Sequence, residues 1–308
     1  MVTINKIHIE NFFGKGTFEW NLNPIVNILG GKNGSGKSST FTACYDILAS
    51  EQLPDAKNSQ LEKWCTKIII TLSNDWTLTW DNNDKAGTLV IPTGLMTVDS
   101  SVVCDNTGAK RSFKDIAGEI DVHLINSFEQ HLSNAMNYDR QPKTLKLDDP
   151  TMLDLMIKDQ IEKRNRQNTA VMEKYLTGPE ENMQELSAYK QQFMKLFSVL
   201  ATFLTGYEKA FTSDFQFTKG GKTFGYEHLS MGEKQILLLL LMVANTQQQK
   251  CIFFMDEPDL SMHIDWKEIL IKQLHDLNPN MQIILSTHAP SVITGWMDCT
   301  KEVNELIK

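Results

Sequence analysis

Gly31-Lys32-Asn33-Gly34-Ser35-Gly36-Lys37-Ser38 follows an apolar run, Ile25 to Leu29, and leads into a segment with Phe41, Tyr45 and Leu48 at helical spacing. A Gly-x4-Gly-Lys-Ser pattern between a strand and a helix is the context of a phosphate-binding loop. Its glycines let backbone N–H groups approach an anion closely and take angles that other residues avoid. A helix beginning near Lys37 aims free N–H groups and the positive end of its dipole at the same point. The ligand implied is ATP with Mg2+. The candidate nucleotide contacts are Asn33, Gly34, Ser35, Gly36, Lys37, Ser38 and Ser39. Lys37 is expected to reach the β- and γ-phosphates, and the Ser38 hydroxyl to hold Mg2+. The alternative is a glycine-rich turn with no ligand.

Working outward, Cys251 to Glu257 is an apolar strand that ends in two carboxylates. At the carboxyl end of a buried strand Asp256 is placed to bind Mg2+, and Glu257 to act as the base that orients an attacking water. A plainer role for the pair is capping the turn before Pro258. A second apolar strand, Ile283 to Thr287, ends at His288. The interval between these strands leaves room for one crossover helix, Trp266 to Leu277, which would make them neighbours. His288 then faces the γ-phosphate as a sensor, although a single histidine at a strand end can be structural.

The bulk properties set limits. The 308 residues can bury a large core, and 41% hydrophobic with 22% charged residues is ordinary for a globular chain. The net charge of −8 counts against a dedicated, sequence-independent nucleic-acid binder. Lys110, Arg111 and Lys114 form one small basic cluster, which reads first as a solvated face. The cysteines at 44, 65, 104, 251 and 299 contain no Cys-x-x-Cys pair, which points to reduced thiols. The densest apolar run, Ile236 to Val243, is far below the roughly twenty residues needed to span a bilayer, and the N-terminus lacks a signal-peptide run. The expected location is cytoplasmic, without a membrane partner.

The expected organisation is a strand at 4–9, the loop and its helix at 38–49, and a β-hairpin from 67–73 and 76–80. Further β-like runs lie at 88–91 and 101–104, and a strand at 122–127 returns to the core. Asp149-Pro150 predicts a helix start with proline in first position, running from Met152 to Tyr175. Gly178-Pro179 breaks it, and Met183 to Leu204 forms a second helix, making a hairpin at most about 40 Å long. Residues 215–226 read as another β-hairpin around Gly220-Gly221, and 230–308 as alternating helix and strand.

With these residues in view, Leu229-Ser230-Met231-Gly232-Glu233-Lys234-Gln235 resembles the signature motif of ABC-type ATPases. The loop, the signature, Asp256-Glu257 and His288 follow in that family's order. The opening Ile4-x2-Ile7-x-Ile9-Glu10-Asn11-Phe12 and the run Ser286-Thr287-His288-Ala289-Pro290 are similar to its RecF, SMC and OLD-like branch. That branch often has arginine after the Asn-Phe pair, where this chain has Phe13. The resemblance implies an α/β fold: a P-loop ABC-ATPase head with an antiparallel β patch and a helical-hairpin insertion. The head would be discontinuous, 1–128 and 226–308, with 129–225 as a mainly helical insertion carrying a β-hairpin.

It further implies a homodimer with two ATP molecules sandwiched between subunits, Ser230 and Gly232 of one meeting the γ-phosphate held by Lys37 of the other. Gln130 is the candidate glutamine contacting Mg2+ and water. The hairpin is short for an SMC coiled coil, and about twenty residues after His288 leave no room for a nuclease domain. The expectation is therefore ATP hydrolysis coupled to dimerisation, regulating a separate effector, nuclease or toxin, in a bacterial anti-phage defence system. The alternative is a DNA-repair or DNA-maintenance ATPase that binds nucleic acid directly. A transporter subunit is disfavoured by the His263 region and by the lack of an obvious adenine-stacking aromatic upstream of the loop. Loss of hydrolysis conflicts with an intact Glu257.

Overall fold

The computed structural model describes residues 2–49, 60–82, 87–91, 94–99, 102–104, 110–111, 121–126, 151–204 and 209–308. The chain opens with β1 (Ile4–Glu10), β2 (Phe18–Asn21), β3 (Val26–Gly30) and helix α1 (Lys37–Ala49). Next come β4 (Lys67–Leu72), β5 (Thr77–Asp81), β6 (Gly87–Ile91), β7 (Gly94–Asp99), β8 (Val102–Cys104), β9 (Lys110–Arg111) and β10 (Asp121–Ile125). Two long helices, α2 (Met152–Thr177) and α3 (Pro179–Leu204), precede β11 (Ala210–Phe211), β12 (Phe217–Lys219) and β13 (Lys222–Phe224). The remainder alternates α4 (Met231–Ala244), β14 (Cys251–Asp256), α5 (Ile264–Leu277), β15 (Met281–Ser286), α6 (Pro290–Ile293), β16 (Thr300–Glu302) and α7 (Val303–Leu306).

These elements form two compact units. One comprises Met1–Asn126, Lys250–Pro258 and Asn280–Lys308; the other comprises Ser127–Gln249 and Asp259–Pro279. Among the described residues no helix is long and apolar enough to cross a membrane.

The first unit contains an antiparallel sheet in the order β2-β1-β4-β5-β6-β7-β8-β9 and a parallel sheet in the order β10-β14-β15-β3-β16. In β1 the buried residues are Ile4, Ile7 and Ile9, which breaks strict alternation. A register shift between Ile4 and Lys6 accounts for it, since one extra residue resets which side chains face inward. Strands β3, β14 and β15 are buried at every position, which is why they read as continuous apolar runs. Helix α1 lies against β10 and β14, and its Phe41 packs between Trp20 and Phe254. The two sheets are clasped by Gln282, fully buried on β15. Its Oε1 accepts from the Ile4 N–H at 2.8 Å, and its Nε2 donates to the carbonyls of Ile4 at 2.9 Å and Asn23 at 2.8 Å. A buried amide is tolerated here because its hydrogen-bonding groups are satisfied.

In the second unit α2 and α3 have 26 residues each, about 39 Å at 1.5 Å per residue, and pack against each other as the expected hairpin. The cap of α2 is Thr151, which accepts from the Asp154 N–H, while the Asp154 side chain accepts from the Thr151 backbone. The helix therefore opens after Thr151, whose hydroxyl satisfies a free N–H, and not at the proline expected in first position, which lies outside the described residues. Proline does open α3, at Pro179, earlier than the expected Met183. Helix α4 is buried almost throughout, packing on α2, α3 and α5, so this unit contains α4 and α5 as well as the hairpin. A buried ion pair, Lys234 Nζ to Asp154 Oδ1 at 2.6 Å, ties α4 to the first turn of α2.

Candidate functional site

Strand β3 ends at Gly30 and α1 begins at Lys37, so the intervening loop curls at the carboxyl edge of the parallel sheet. Gly36 has φ +102, and a Cβ there would lie 2.7 Å from both Phe12 Cζ and Phe13 Cε2. Only glycine fits that backbone and that space. Lys37 is 5% exposed, and its Nζ donates to the carbonyls of Gly31 at 2.7 Å and Lys32 at 3.3 Å. It also lies 3.0 Å from His288 Nε2. Burial pushes the Lys37 ammonium below the ordinary lysine range, while Glu257, Asp256 and Glu302 pull it back.

Pairing brings the other groups to the same edge. Asp256 is opposite Ser286 across β14 and β15, and Ser286 is opposite Leu29 across β15 and β3. The Ser286 hydroxyl donates to Asp256 Oδ1 at 2.5 Å and accepts from the Glu257 N–H at 3.1 Å. That same N–H is also 3.1 Å from the Ser286 carbonyl oxygen. These bonds hold Glu257 at φ +47, a left-handed conformation that a non-glycine residue keeps only when its surroundings impose it. Its Oε1 lies 3.3 Å from His288 Nε2. That nitrogen accepts from Lys37 when the ring proton is on Nδ1, and donates to Glu257 when the proton is on Nε2. Lys37 and Glu257 thus compete for one hydrogen-bonding position, His288 Nε2.

A cavity of about 330 Å³ is lined by Phe13, Asn33, Gly34, Ser35, Gly36, Lys37, Ser38, Ser39 and Glu257. Within the loop, Ser35 Oγ is buried with no hydrogen-bond partner among the described residues. A concave, polar pocket with a buried lysine and an orphaned hydroxyl fits a polyphosphate. For a divalent cation the donors are the Asp256 carboxylate and the Ser38 hydroxyl. Among the described residues no group of three or more His, Cys, Asp and Glu could hold a metal. A hard ion such as Mg2+, which keeps water and takes phosphate oxygens, fits such a sparse set.

The signature segment belongs to the second unit. Ser230 caps α4: its hydroxyl donates to Glu233 Oε2 at 2.8 Å, and its backbone N–H donates to the same carboxylate oxygen at 2.8 Å. Glu233 in turn pairs with Lys209 at 2.5 Å, with both side chains largely buried. A Cβ on Gly232 would lie 2.5 Å from the Ser261 carbonyl oxygen, so the close approach of that segment requires glycine.

Of the residues singled out from sequence, Asn33 to Ser39, Lys37, Glu257 and His288 converge, and Asp256 joins them through Ser286. Ser230 and Gly232 lie in the other compact unit. Gln130 lies outside the described residues. Sequence reasoning did not assign Ser286 its role, because the register that sets it beside Asp256 is visible only in the paired strands. It treated Phe13 only as a departure from a pattern, whereas Phe13 lines the cavity.

Comparison with known proteins gives the family and the fold. Residues 3–304 match the RecF/RecN/SMC N terminal domain. A curated relative, the Retron Vc95 probable ATPase of Vibrio cholerae serotype O1 biovar El Tor, is 26% identical over 219 residues, 66% of this chain. The match spans 40% of that protein's length. Among solved structures, the Smc head domain of Pyrococcus furiosus bound to the C-terminal domain of ScpA aligns over 96% of this chain and 92% of its own. Its TM-score is 0.51 at 14% identity. An SmcHead bound to the C-winged helix domain of ScpA aligns over 94% and 91%, with TM-score 0.53 and 14% identity. These likenesses carry the fold alone, and the family match carries the membership. The chain belongs to the RecF/RecN/SMC N-terminal domain family, the ABC-type ATPases of the RecF and SMC branch.

Proposed function

We propose that this protein binds and hydrolyses ATP, that ATP joins two copies head to head, and that the cycle holds or releases a separate effector protein in a bacterial anti-phage defence system. The observation that carries the hydrolytic part is the meeting of Lys37, His288 and Glu257 at the cavity of the phosphate loop. Lys37 and the loop N–H groups bind the phosphates, and Glu257 takes a proton from the attacking water. Asp256, fixed by Ser286, and Ser38 would hold Mg2+, which would neutralise charge on the phosphate oxygens. His288 binds at the γ-phosphate end and orients Glu257.

The dimer rests on the signature segment. Ser230 begins a helix whose N-terminal N–H groups can meet an anion from another subunit, and Gly232 lets that first turn pack closely against the Ser261 carbonyl. A separate protein partner is supported by the ScpA-bound SMC heads, and the defence setting by the relative named as a retron's probable ATPase. The acidic balance, −8 overall, favours a protein partner over direct DNA binding. The test is to express Glu257→Gln with the neighbouring genes of its native locus, purify it with ATP and identify what is retained. An ATP-dependent dimer with a stoichiometric protein partner is expected. Salt-sensitive DNA retention with no protein partner would favour DNA maintenance, and no ATP-dependent assembly would sink the sandwich.

A further inference from the structure

Ser230, the residue proposed to meet a second subunit's γ-phosphate, has no proton to spare. A serine hydroxyl carries one, and here it is donated to Glu233 Oε2 at 2.8 Å. The Ser230 N–H donates to the same oxygen at 2.8 Å. A carboxylate therefore sits across the first turn of α4, the place an incoming anion needs. Lys209 Nζ donates to the other carboxylate oxygen, Oε1, at 2.5 Å. Lys234, next to Glu233 in sequence, is committed to Asp154 at 2.6 Å, which leaves Lys209 to balance Glu233. We propose that Lys209 is a positioning residue for the signature serine: it neutralises Glu233, so that the Ser230 hydroxyl exchanges that carboxylate for the γ-phosphate held by a second copy of the chain. The proposal rests on the ATP-sandwich reading above and adds the group that controls the release of Ser230.

Lys209 is placed for this by the small sheet of the second unit. It immediately precedes β11, and its Nζ lies 5.8 Å from the centre of the Phe224 ring at the end of β13. Phe224 stacks on Phe217 of β12 at 6.3 Å, and Phe217 lies 6.1 Å from Phe211 of β11. Phe211 in turn stacks on Phe197 of α3 at 5.5 Å. A row of rings thus runs from the helical hairpin to the lysine. An aromatic face holds a cation without cancelling its charge. Only 13% of the Lys209 side chain is exposed, so little water screens its pull on Glu233.

The electrostatics set the sign of the effect. With Lys209 in place the Glu233 pair is neutral, and the first turn of α4 presents the positive end of its dipole to an anion. Without Lys209, a bare carboxylate grips the Ser230 proton harder and repels the phosphate. Lys209 itself touches no nucleotide; it acts through Glu233 and Ser230.

The test is dimerisation of the full chain with a non-hydrolysable ATP analogue and Mg2+, followed by light scattering over a protein dilution series. Affinity for the analogue is read separately, at protein concentrations where the chain is monomeric, and should be the same in every variant. Lys209→Met keeps the length of the side chain and removes its charge. It should need about tenfold more protein than wild type to dimerise, the lower end for a like-charge conflict at an interface. Lys209→Arg should match wild type. Lys209→Met combined with Glu233→Gln should recover, because the amide still caps the helix and carries no charge. Glu233→Gln alone, with Lys209 unopposed, should dimerise at a lower concentration than wild type, and this arm stands even where Lys209→Met does not fold. The positioning role is overturned by Lys209→Met dimerising like wild type, by a double variant no better than Lys209→Met, or by Glu233→Gln needing as much protein as wild type. If wild type binds the analogue without dimerising, the sandwich reading fails and Lys209 with it; if wild type dimerises and the variants follow it, Lys209 alone fails.

Discussion

Lys37 Nζ and His288 Nε2 lie 3.0 Å apart, joining the phosphate loop to the end of β15. A lysine so placed, 5% exposed and drawn on by Asp256, Glu257 and Glu302, carries its charge into a site built to receive more negative charge. The contact with His288 and those with the Gly31 and Lys32 carbonyls are ones that phosphate oxygens can replace.

Lys37→Ala should therefore weaken nucleotide binding by about 100-fold, the scale of losing a hydrogen bond between charged groups. Titration with a fluorescent ATP analogue checks this, and near-wild-type affinity would remove the loop from the site.

Glu257→Gln separates binding from hydrolysis. The amide keeps the shape but cannot take a proton, so phosphate release should fall by about 10²–10⁴ while ATP affinity is retained. Light scattering with ATP should show the variant accumulating as a dimer. A wild-type rate of phosphate release would exclude Glu257 as the base.

Ser286→Ala removes a hydroxyl that donates to Asp256 and accepts from the Glu257 N–H. The expected cost is about 1–3 kcal/mol in stability, with a higher Mg2+ concentration needed for half-maximal hydrolysis. An unchanged Mg2+ dependence would confine Ser286 to a packing role.

Acid should weaken the second unit through two buried carboxylates. Burial raises the Asp154 carboxyl, but the hydrogen bonds from Lys234 and Thr151 together outweigh it and hold the group below its usual 3.8. Burial likewise raises Glu233, and Lys209 with Ser230 holds it below 4.5. A depressed carboxylate contributes stability that is present above its unfolded pKa and is lost as pH falls through the folded value. Urea midpoints should therefore decline below about pH 4.5, and less steeply for Asp154→Asn combined with Glu233→Gln. Parallel declines would show that neither group drives the effect.

Much of this was readable from the chain because its physics is local. The loop needs glycines at fixed spacing, buried parallel strands need unbroken apolar runs, and the 67–81 hairpin turns at Asn74-Asp75, where Asp75 takes φ 63. What escaped notice depends on partners distant in sequence. Strand β16, Thr-Lys-Glu, has no apolar pattern and exists because β3 offers it an edge. Strand β2, Phe18–Asn21, is too short to stand out before β1 pairs with it. The place of Phe13 in the cavity wall depends on Trp64, fifty-one positions later, which holds its backbone and backs its ring. Ser286 gained meaning only when register placed it beside Asp256.

The parallel sheet gives β3 two neighbours, β15 and β16, and both are encoded after residue 280. A ribosome thus makes the phosphate loop well before the strands that flank its strand. The nascent chain carries the loop without the scaffold that aligns it with Ser286 and His288. A chain cut before Met281 is therefore expected to keep the whole loop and lose nucleotide binding, which titration with a fluorescent ATP analogue checks.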